Sequence, residues 1–336
     1  MKHISVIVPE GPVVLSSIVG TFKLFGQVNN FLAAQGLPPC YKIQLVGLNH
    51  ETRLYEGLFT INPHVTIDQV KKTDLVVVTT IMGDMQESLA LNKDFVPWIN
   101  DMYRGGAEVA SLCMGAFLLA DTGLLDGKRA TTHWIGTQQF QDMFPNVLFQ
   151  QDKIITDEKG TYTSGGAFSF LNLLIYLIEK YNGRDMAILS SKLFEIDIDR
   201  YNQSEFVIFE AQKGHGDDTI QKAQDYIESN FSNSITIDQM ADVVSLSRRN
   251  FIRRFKAATQ NTPYEYVQRV RVEAAKKSLE RTTQNVSEVM MEVGYSDSKA
   301  FRGVFRKLTG CSPVEYKMKY NKYSSKVSGS IEVITN

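Results

Sequence analysis

Cysteine is scarce in this sequence, and long apolar runs are missing. The three cysteines, Cys40, Cys113 and Cys311, lie far apart and form no Cys-x-x-Cys pair, which argues against a disulfide framework and against a zinc site. No apolar stretch reaches the roughly 18 residues that a membrane-spanning helix needs. The initial segment MKHISVIV alternates like a strand and lacks a small-residue cleavage site, unlike a secretion signal. We therefore predict a cytoplasmic chain with no membrane partner, no metal and no cofactor.

The chain as a whole has almost no excess charge, since its net charge is −1. Its two parts, however, carry charges of opposite sign. Residues 1–215 carry 17 Lys and Arg against 23 Asp and Glu, a net charge of −6, whereas residues 216–336 carry 19 against 14, a net charge of +5. Residues 240–326 hold 18 basic and 8 acidic residues, a net charge of +10. Such a basic module is typical of a protein with a polyanion partner, although a basic surface without a partner would give the same counts.

The first 180 residues alternate β-rich and helical patterns. Short β-rich runs at 4–8, 42–48, 74–79 and 108–112 are each followed by a longer helical pattern, which indicates a parallel sheet covered by helices. Two further β-like pieces, 147–149 and 161–163, precede helices predicted over 167–181 and 184–194. The amino-terminal part is therefore predicted to be an α/β domain with a parallel sheet.

A linker is predicted at residues 211–218, AQKGHGDD, where glycines and charges occur without apolar periodicity. The length of 336 residues also exceeds what one hydrophobic core usually organises. We predict an amino-terminal domain over 1–210 and a second domain over 219–325, in which the pattern is purely helical.

A repeat with an offset of 50 residues is the most specific feature of the helical part. Two similar pairs share this offset, Lys256 with Arg306 and Thr262 with Ser312. Six identities do so as well: Phe251, Phe255, Thr259, Pro263, Glu265 and Tyr266 recur as Phe301, Phe305, Thr309, Pro313, Glu315 and Tyr316. Identities at one fixed offset indicate a duplicated supersecondary unit.

Each copy is predicted to be a helix-turn-helix unit. In the first, an apolar stripe at 237, 240, 241 and 244 precedes a turn at 245–247 and a helix over 248–258, with Ser247 as its N-cap. In the second, the stripe at 286, 289, 290 and 293 precedes a turn that begins at Gly294 and a helix over 298–308 capped by Asp297. Pro263 and Pro313 suit the first turn of a following helix, and we expect the helix from 263 to about 280 to join the two units.

The second helix of each copy is expected to bury its phenylalanines and to expose basic side chains. In the first copy this leaves Arg249, Asn250, Arg253 and Arg254 partly or wholly outward. An α-helix with Arg and Lys on its free face can enter the major groove, where guanidinium groups pair with guanine edges or phosphates. A merely solvated basic face is the alternative, but the same frame occurs twice.

The helical part resembles the DNA-binding domain of the AraC/XylS family of transcription regulators. The segments that carry the resemblance are SRRNF at 247–251, GYSD at 294–297 and SPVEY at 312–316. Gly303 departs from the family, which often has a basic residue there. The resemblance implies double-stranded promoter DNA as partner, a homodimer, and RNA polymerase as a further partner if the protein is an activator. The predicted DNA-binding residues are Arg248, Arg249, Ile252, Arg253, Ser298, Lys299 and Arg302.

A candidate active site lies in the amino-terminal domain. Cys113 directly follows a predicted strand and precedes a predicted helix, which is the arrangement of a nucleophile elbow. We expect this junction to expose the sulfur at a helix N-terminus, where the dipole lowers the thiol pKa. His133 follows in the segment TTHW and could approach Cys113, as acyl chemistry would require.

The segment from Cys113 to Trp134 resembles the class I glutamine amidotransferase-like domain of the ThiJ/PfpI superfamily, in the GlxA type that is fused to AraC-type regulators. The resemblance implies an α/β flavodoxin-like sandwich with a pocket at the carboxyl ends of the strands. This chain has Ser16 where relatives carry an acid beside the cysteine, Met114 after the cysteine, and Asn172 where fused regulators have Asp. The candidate pocket residues are Glu10, Gly83, Cys113, Met114, His133, Trp134 and Gly165.

Three interpretations of Cys113 and His133 stay open: a retained fold element that lines a ligand pocket, a working amidase or hydrolase, and an oxidation sensor. The leading hypothesis for the whole chain is a transcription regulator controlled by a small-molecule effector rather than an enzyme, because a complete catalytic set is not visible. A cysteine-dependent amidase or glyoxalase that also binds DNA is the alternative from another class, and an architectural DNA-packaging protein is a third.

Overall fold

The computed structural model describes residues 1–198, 203–209, 213 and 215–321, and the chain divides into two compact units, Met1–Gln203 and Ser204–Asn336. The predicted linker at 211–218 lies partly outside the described residues, and the predicted domain end at 325 lies outside them altogether. Within them, Asp217 caps the first helix of the second unit, which begins at Asp218.

The first unit is built on a seven-stranded sheet with the order β10-β11-β7-β6-β1-β2-β5. Every neighbouring pair is parallel except β10 and β11, which form an antiparallel hairpin at one edge. The strands are β1 (Lys2–Val8), β2 (Tyr41–Gly47), β3 (Thr52–Leu54), β4 (Phe59–Ile61), β5 (Val65–Thr66), β6 (Leu75–Val78), β7 (Glu108–Leu112), β8 (Arg129–Ala130), β9 (Leu148–Phe149), β10 (Ile155–Glu158) and β11 (Thr161–Ser164).

Helices cover both faces of this sheet. Successive residues of a strand point to opposite faces, so Val76 and Val78 of β6 enter one hydrophobic core while Leu75 and Val77 enter the other. The first core packs against α2 to α5 and the second against α1, α6 and α7. The helices are α1 (Leu15–Ala34), α2 (Met85–Leu91), α3 (Phe95–Arg104), α4 (Gly115–Asp121), α5 (Thr137–Met143), α6 (Phe170–Asn182) and α7 (Arg184–Leu193). The predicted α/β sandwich is confirmed.

One detail of the predicted alternation is wrong. No helical segment longer than a short 3-10 turn follows β2; the chain forms the β3–β4 hairpin and the short strand β5 before it reaches β6. The intervening residues include Gly57, Pro63 and several β-branched side chains, which disfavour an α-helix. The β-like piece at 147–149 likewise stays outside the main sheet, because β9 pairs with β8 alone.

The second unit is helical in all of its described residues that have regular structure. Its long central helix α11 contributes to two cores, with Tyr266 and Val267 in one and Val272, Ala275 and Leu279 in the other. Each core therefore holds one copy of the repeat. The helices are α8 (Asp218–Asn230), α9 (Ile237–Val243), α10 (Arg248–Thr259), α11 (Pro263–Arg281), α12 (Val286–Glu292), α13 (Ser298–Thr309) and α14 (Pro313–Tyr320).

The repeat extends to individual hydrogen bonds. The hydroxyls of Thr259 and Thr309 each donate to the carbonyl four residues earlier at 2.8 Å. Both α10 and α13 end on a left-handed residue, Gln260 and Gly310 respectively. Thr262 and Ser312 then start α11 and α14 with the same capping box. The two copies therefore share the burial of their phenylalanines and the hydrogen bonds at the end of the second helix.

Candidate nucleic-acid interface and ligand pocket

The helices α10 and α13 present equivalent faces. Phe251 and Phe255 of α10 are fully buried, as are Phe301 and Phe305 of α13, so the opposite face of each helix lies outside its core. The predicted DNA-binding residues lie on these outer faces: Arg248, Arg249, Arg253, Ser298, Lys299 and Arg302 are exposed, and Ile252 is half-buried. Each helix therefore exposes basic side chains on the face opposite to its buried phenylalanines.

Arg254 is an anchor of the fold, unlike its neighbour Arg253. Its guanidinium donates two hydrogen bonds to the carboxylate of Asp217, at 2.6 and 2.9 Å, and approaches the Thr219 hydroxyl at 3.3 Å. Asp217 also accepts from the Ile220 amide as the N-cap of α8. The hydrogen bonds from Arg254 hold the pKa of the Asp217 carboxyl below its usual value. Arg254 thus ties α10 to α8.

The remaining basic groups of the outer faces have weak internal partners. Arg248 pairs with Asp238 at 2.8 Å with both side chains exposed, and Arg253 donates to the Asn250 side chain at 3.0 Å. Exposed pairs of this kind contribute little to stability, so both arginines can exchange these partners for phosphates or bases. Among the described residues, the side chains of Lys299 and Arg302 take part in no ion pair and no hydrogen bond.

The turn of the second helix-turn-helix copy is held more tightly than the turn of the first copy. Gly294 has φ +85°, and a Cβ there would lie 2.5 Å from the Ser232 carbonyl oxygen, so only glycine fits. Asp297 caps α13 by accepting from the amides of Lys299 and Ala300. Ser247 occupies the N-cap position of α10 without a side-chain hydrogen bond, so the predicted cap is wrong in its chemistry although correct in position.

The candidate pocket residues of the first unit follow the carboxyl ends of four adjacent parallel strands. Glu10 comes after β1, Gly83 after β6, Cys113 after β7 and Gly165 after β11. Parallel strands end at the same edge of a sheet, where ligands of α/β proteins commonly bind. The structure therefore places these residues along one edge of the sheet, the one formed by the carboxyl ends of its parallel strands.

Cys113 forms the strained turn expected of a nucleophile elbow, with φ +54°. Gly115 allows the following helix to start there, because a Cβ would lie 2.5 Å from the Thr79 carbonyl oxygen. The thiol, however, is buried, and burial raises its pKa to about 11, against smaller opposite effects of the Met114 amide and the Thr80 hydroxyl. The expectation of an exposed thiol with a lowered pKa is wrong, because desolvation outweighs the helix terminus.

His133 is not joined to this thiol by any hydrogen bond among the described residues. Its Nδ1 accepts from the Ile135 amide at 3.1 Å and caps a short 3-10 helix, and its ring lies 5.4 Å from that of Trp134. Burial lowers the pKa of the His133 imidazole, which favours the neutral form. Met114 packs against Gly136, where a Cβ would meet its sulfur at 2.8 Å. The segment after Cys113 and the segment after His133 are thus packed together without a catalytic pair.

Two polar residues near this edge have structural partners. The Glu10 carboxylate accepts from the Asn49 amide at 3.0 Å and the Thr52 hydroxyl at 3.1 Å. Asn172 donates its side-chain amide to the Asp197 carbonyl at 2.6 Å, a bond that an ionised Asp could not make. The departure at this position therefore has a structural reason.

Gln203 was missed by the sequence interpretation. Its buried carboxamide lies against Gly165 and donates to carbonyl oxygens of the segments that follow β8 and β9. The residue stands outside any periodic pattern, so no signal in the sequence points to it. Its neighbour in this network, Thr132, donates to the Cys113 carbonyl at 2.9 Å and so connects Gln203 to the elbow.

No group of His, Cys, Asp or Glu in the described part of the chain is arranged to hold a metal ion. Across the same residues, none of the helices combines the length and the apolar character that crossing a bilayer requires.

The fold and its exposed residues define a class of two-domain protein. A flavodoxin-like domain, with candidate pocket residues at the carboxyl ends of its strands, is followed by a duplicated helix-turn-helix module with two basic helices. Comparison with known proteins identifies the family of each of the two domains. Residues 240–319 match the model of a helix-turn-helix domain, and residues 31–180 match the DJ-1/PfpI family. The chain therefore contains a helix-turn-helix domain that follows a DJ-1/PfpI domain.

Individual relatives are similar to large parts of this chain. The chain is 26% identical over 254 residues to the HTH-type transcriptional regulator GbdR of Pseudomonas aeruginosa, which covers 75% of this chain and 68% of that protein. It is 27% identical over 218 residues to the regulator ArgR of the same species, covering 65% and 66% respectively. Among solved structures, an AraC family transcriptional regulator from Pseudomonas putida matches 58% of this chain and all of its own, with a TM-score of 0.50 and 15% identity. That likeness concerns the fold alone.

Proposed function

We propose that this chain regulates transcription by binding promoter DNA in a sequence-specific manner, with α10 and α13 as its two recognition helices. The observation that carries the proposal is the duplicated unit, in which both copies expose basic side chains on the same face of the same helix. Arg249, Arg253, Lys299 and Arg302 are the groups we expect at bases and phosphates.

The joining helix α11 sets the separation of the two recognition helices. Its 19 residues span about 28 Å at 1.5 Å per residue. This length is comparable to the ~34 Å between successive major-groove faces on one side of B-DNA. We therefore expect the two units to contact neighbouring turns of the major groove.

The first unit is proposed to bind a small-molecule effector at the edge that holds Cys113, His133, Trp134 and Gly165. The effector would shift a conformational or dimeric equilibrium of the regulator. A homodimer, contact with RNA polymerase in the case of activation, and a cytoplasmic location belong to the same proposal.

Selection of DNA from a random library by the full-length protein tests the DNA-binding role. We expect enriched sequences with two short conserved elements about one helical turn apart. An enrichment without any conserved element, together with a steep salt dependence, would favour an architectural protein instead. Failure to enrich any DNA at moderate salt would refute the proposal.

Cysteine-dependent hydrolysis is the second candidate function, and the burial of Cys113 argues against it. A nucleophilic cysteine needs its thiolate, whereas burial raises the pKa of this thiol, and no histidine or carboxylate bonds to it among the described residues. Measuring the turnover of amides and glyoxals by wild type and by Cys113→Ser decides whether Cys113 is catalytic. Turnover that the substitution abolishes would establish the enzyme.

A further inference from the structure

Gln203 is the last residue of the first unit, and its side chain is almost completely buried. Its Nε2 lies 3.0 Å from the Gln151 carbonyl oxygen, 3.1 Å from that of Thr132 and 3.2 Å from that of Lys153, and 3.3 Å from the Thr131 hydroxyl oxygen. We call these four oxygens the acceptor cage. Three carbonyl oxygens around one atom fix that atom as the nitrogen of the carboxamide, because an oxygen there would be repelled.

The carboxamide is an imperfect occupant of the acceptor cage. It offers two N–H groups to four acceptors, while its own Oε1 is buried without a hydrogen-bond partner among the described residues. A buried polar atom without a partner disfavours the conformation that contains it. A primary ammonium group would bring three N–H donors to the same four oxygens and no unpaired acceptor.

The space between the Gln203 carboxamide and Gly165, which we call the slot, has no room for a side chain on Gly165. A Cβ at Gly165 would lie 2.4 Å from Nε2 of Gln203 and 2.7 Å from its Oε1. The φ of Gly165 is not left-handed, so the requirement for glycine comes from this contact and not from the backbone. Gly165 and the acceptor cage together enclose one small group with N–H donors.

The chain that follows Gln203 is bonded to the central helix of the DNA-binding unit. Lys276 of α11 donates to the Val207 carbonyl at 2.6 Å, and the Phe209 amide donates to Glu273 of α11 at 3.2 Å. Glu273 and Lys276 also form a buried ion pair at 3.0 Å. The segment 204–209 is therefore held by the helix that joins the two helix-turn-helix units, and it begins at the residue directly after Gln203.

We propose that the acceptor cage is a binding site for the NH₂ or NH₃⁺ group of a small molecule, and that Gln203 occupies it as an internal ligand. An effector that carries a primary ammonium or amide group replaces the carboxamide. When the Gln203 side chain leaves the acceptor cage, segment 204–209, which follows it directly, is no longer fixed at its start. The hydrogen bonds of this segment to α11 then change. This inference rests on the proposed function, because it names the effector class of the same regulator and the route by which the effector acts on DNA binding.

Chemical rescue tests the cage without knowledge of the natural effector. Gln203→Ala removes the atoms beyond Cβ and leaves a space of the size of acetamide. The two tryptophans, Trp98 and Trp134, both lie in the first unit, so tryptophan fluorescence follows its thermal unfolding in the full chain. We expect acetamide to raise the Tm of Gln203→Ala but not of wild type. Acetate, which has the same shape and no N–H donor, should leave both unchanged.

The matched control for this experiment is Gln150→Ala. Among the described residues, the side-chain amide of Gln150 donates only to the carbonyl oxygens of Leu148 and Phe149, so its removal should create no response to acetamide. An equal response of Gln203→Ala to acetamide and acetate, or no response to either, would overturn the cage as an N–H site.

DNA affinity tests the route to α11. Gly165→Ala expels the Gln203 side chain from the opposite side and leaves residue 203 itself unchanged. We expect Gly165→Ala and Gln203→Ala to change the Kd for the selected DNA at least fivefold in the same direction. Acetamide should reverse the change for Gln203→Ala only, because the new methyl group of Gly165→Ala fills the slot.

The failures of the two proposals are distinguishable. If wild type selects no DNA, the proposed function fails. If wild type binds the selected DNA and both variants bind it with the Kd of Gln150→Ala, the inference is overturned while the regulator remains. Should Gln203→Ala not fold, Gly165→Ala gives the same decision.

Discussion

Two adjacent arginines of α10 should have opposite roles. Arg253 is exposed with one hydrogen bond to Asn250, whereas Arg254 holds Asp217 with two. A good bidentate contact to a base is worth about 1 to 3 kcal/mol of discrimination. We therefore expect Arg253→Ala to raise the Kd for selected DNA by about 5- to 150-fold and to leave the unfolding transition in place.

Arg254→Ala should do the reverse. It removes both guanidinium bonds from the N-cap of α8, so the helical unit should unfold at lower urea concentration while base preference is kept. Asp217→Ala, which also removes the cap itself, should cost about 1 kcal/mol or more.

Fluorescence anisotropy with labelled DNA at one fixed salt concentration gives the Kd, and circular dichroism of the helices during urea titration gives the stability. Repeating the titration with a DNA that carries a single base change in the first element separates base contacts from phosphate contacts. The reasoning is refuted if Arg254→Ala weakens DNA binding more than Arg253→Ala in protein that is still folded, or if both arginines prove silent toward DNA.

Three further outcomes are expected. Gly294→Ala should lower the free energy of unfolding by about 1 to 2 kcal/mol because of its left-handed backbone alone. Gly303→Ala, at an open helical position, should instead raise the free energy of unfolding by about 1 kcal/mol. Equal urea midpoints for the two variants would contradict this expectation. Because the folded pKa of Asp217 is lowered, its stabilisation is present at neutral pH and lost as pH falls below about 4, so Asp217→Asn should flatten the loss of stability between pH 5 and pH 3. Iodoacetamide should label Cys113 far more slowly than half-buried Cys40 at pH 8, where a thiol with a pKa of about 11 is ionised to about one part in a thousand; faster labelling of Cys113 would refute its burial.

Local patterns account for most of what could be predicted about the fold. Apolar periodicity and caps predicted α10 and α13 closely, because such a helix needs only one buried stripe and a turn that lets the chain re-enter the core. The segment after β2 was predicted badly, since short strands such as β5 depend on pairing with a distant strand. The same limit applies to single side chains: Arg254 differs from the adjacent Arg253 mainly through its bonds to Asp217, which lies 37 positions away.

Duplication, charge and hydrophobic periodicity are properties of the chain, and they suffice to predict that a basic tandem helix-turn-helix module follows an α/β domain. The chemistry of particular residues depends instead on the folded arrangement. It buries Cys113, so that desolvation raises the thiol pKa, and it leaves His133 without a bond to that thiol in the described residues. It also brings Gln203 to Thr132 and Gly165, residues far from it in sequence. Burial and long-range hydrogen bonds depend on which surfaces meet, and no local pattern in the chain records that.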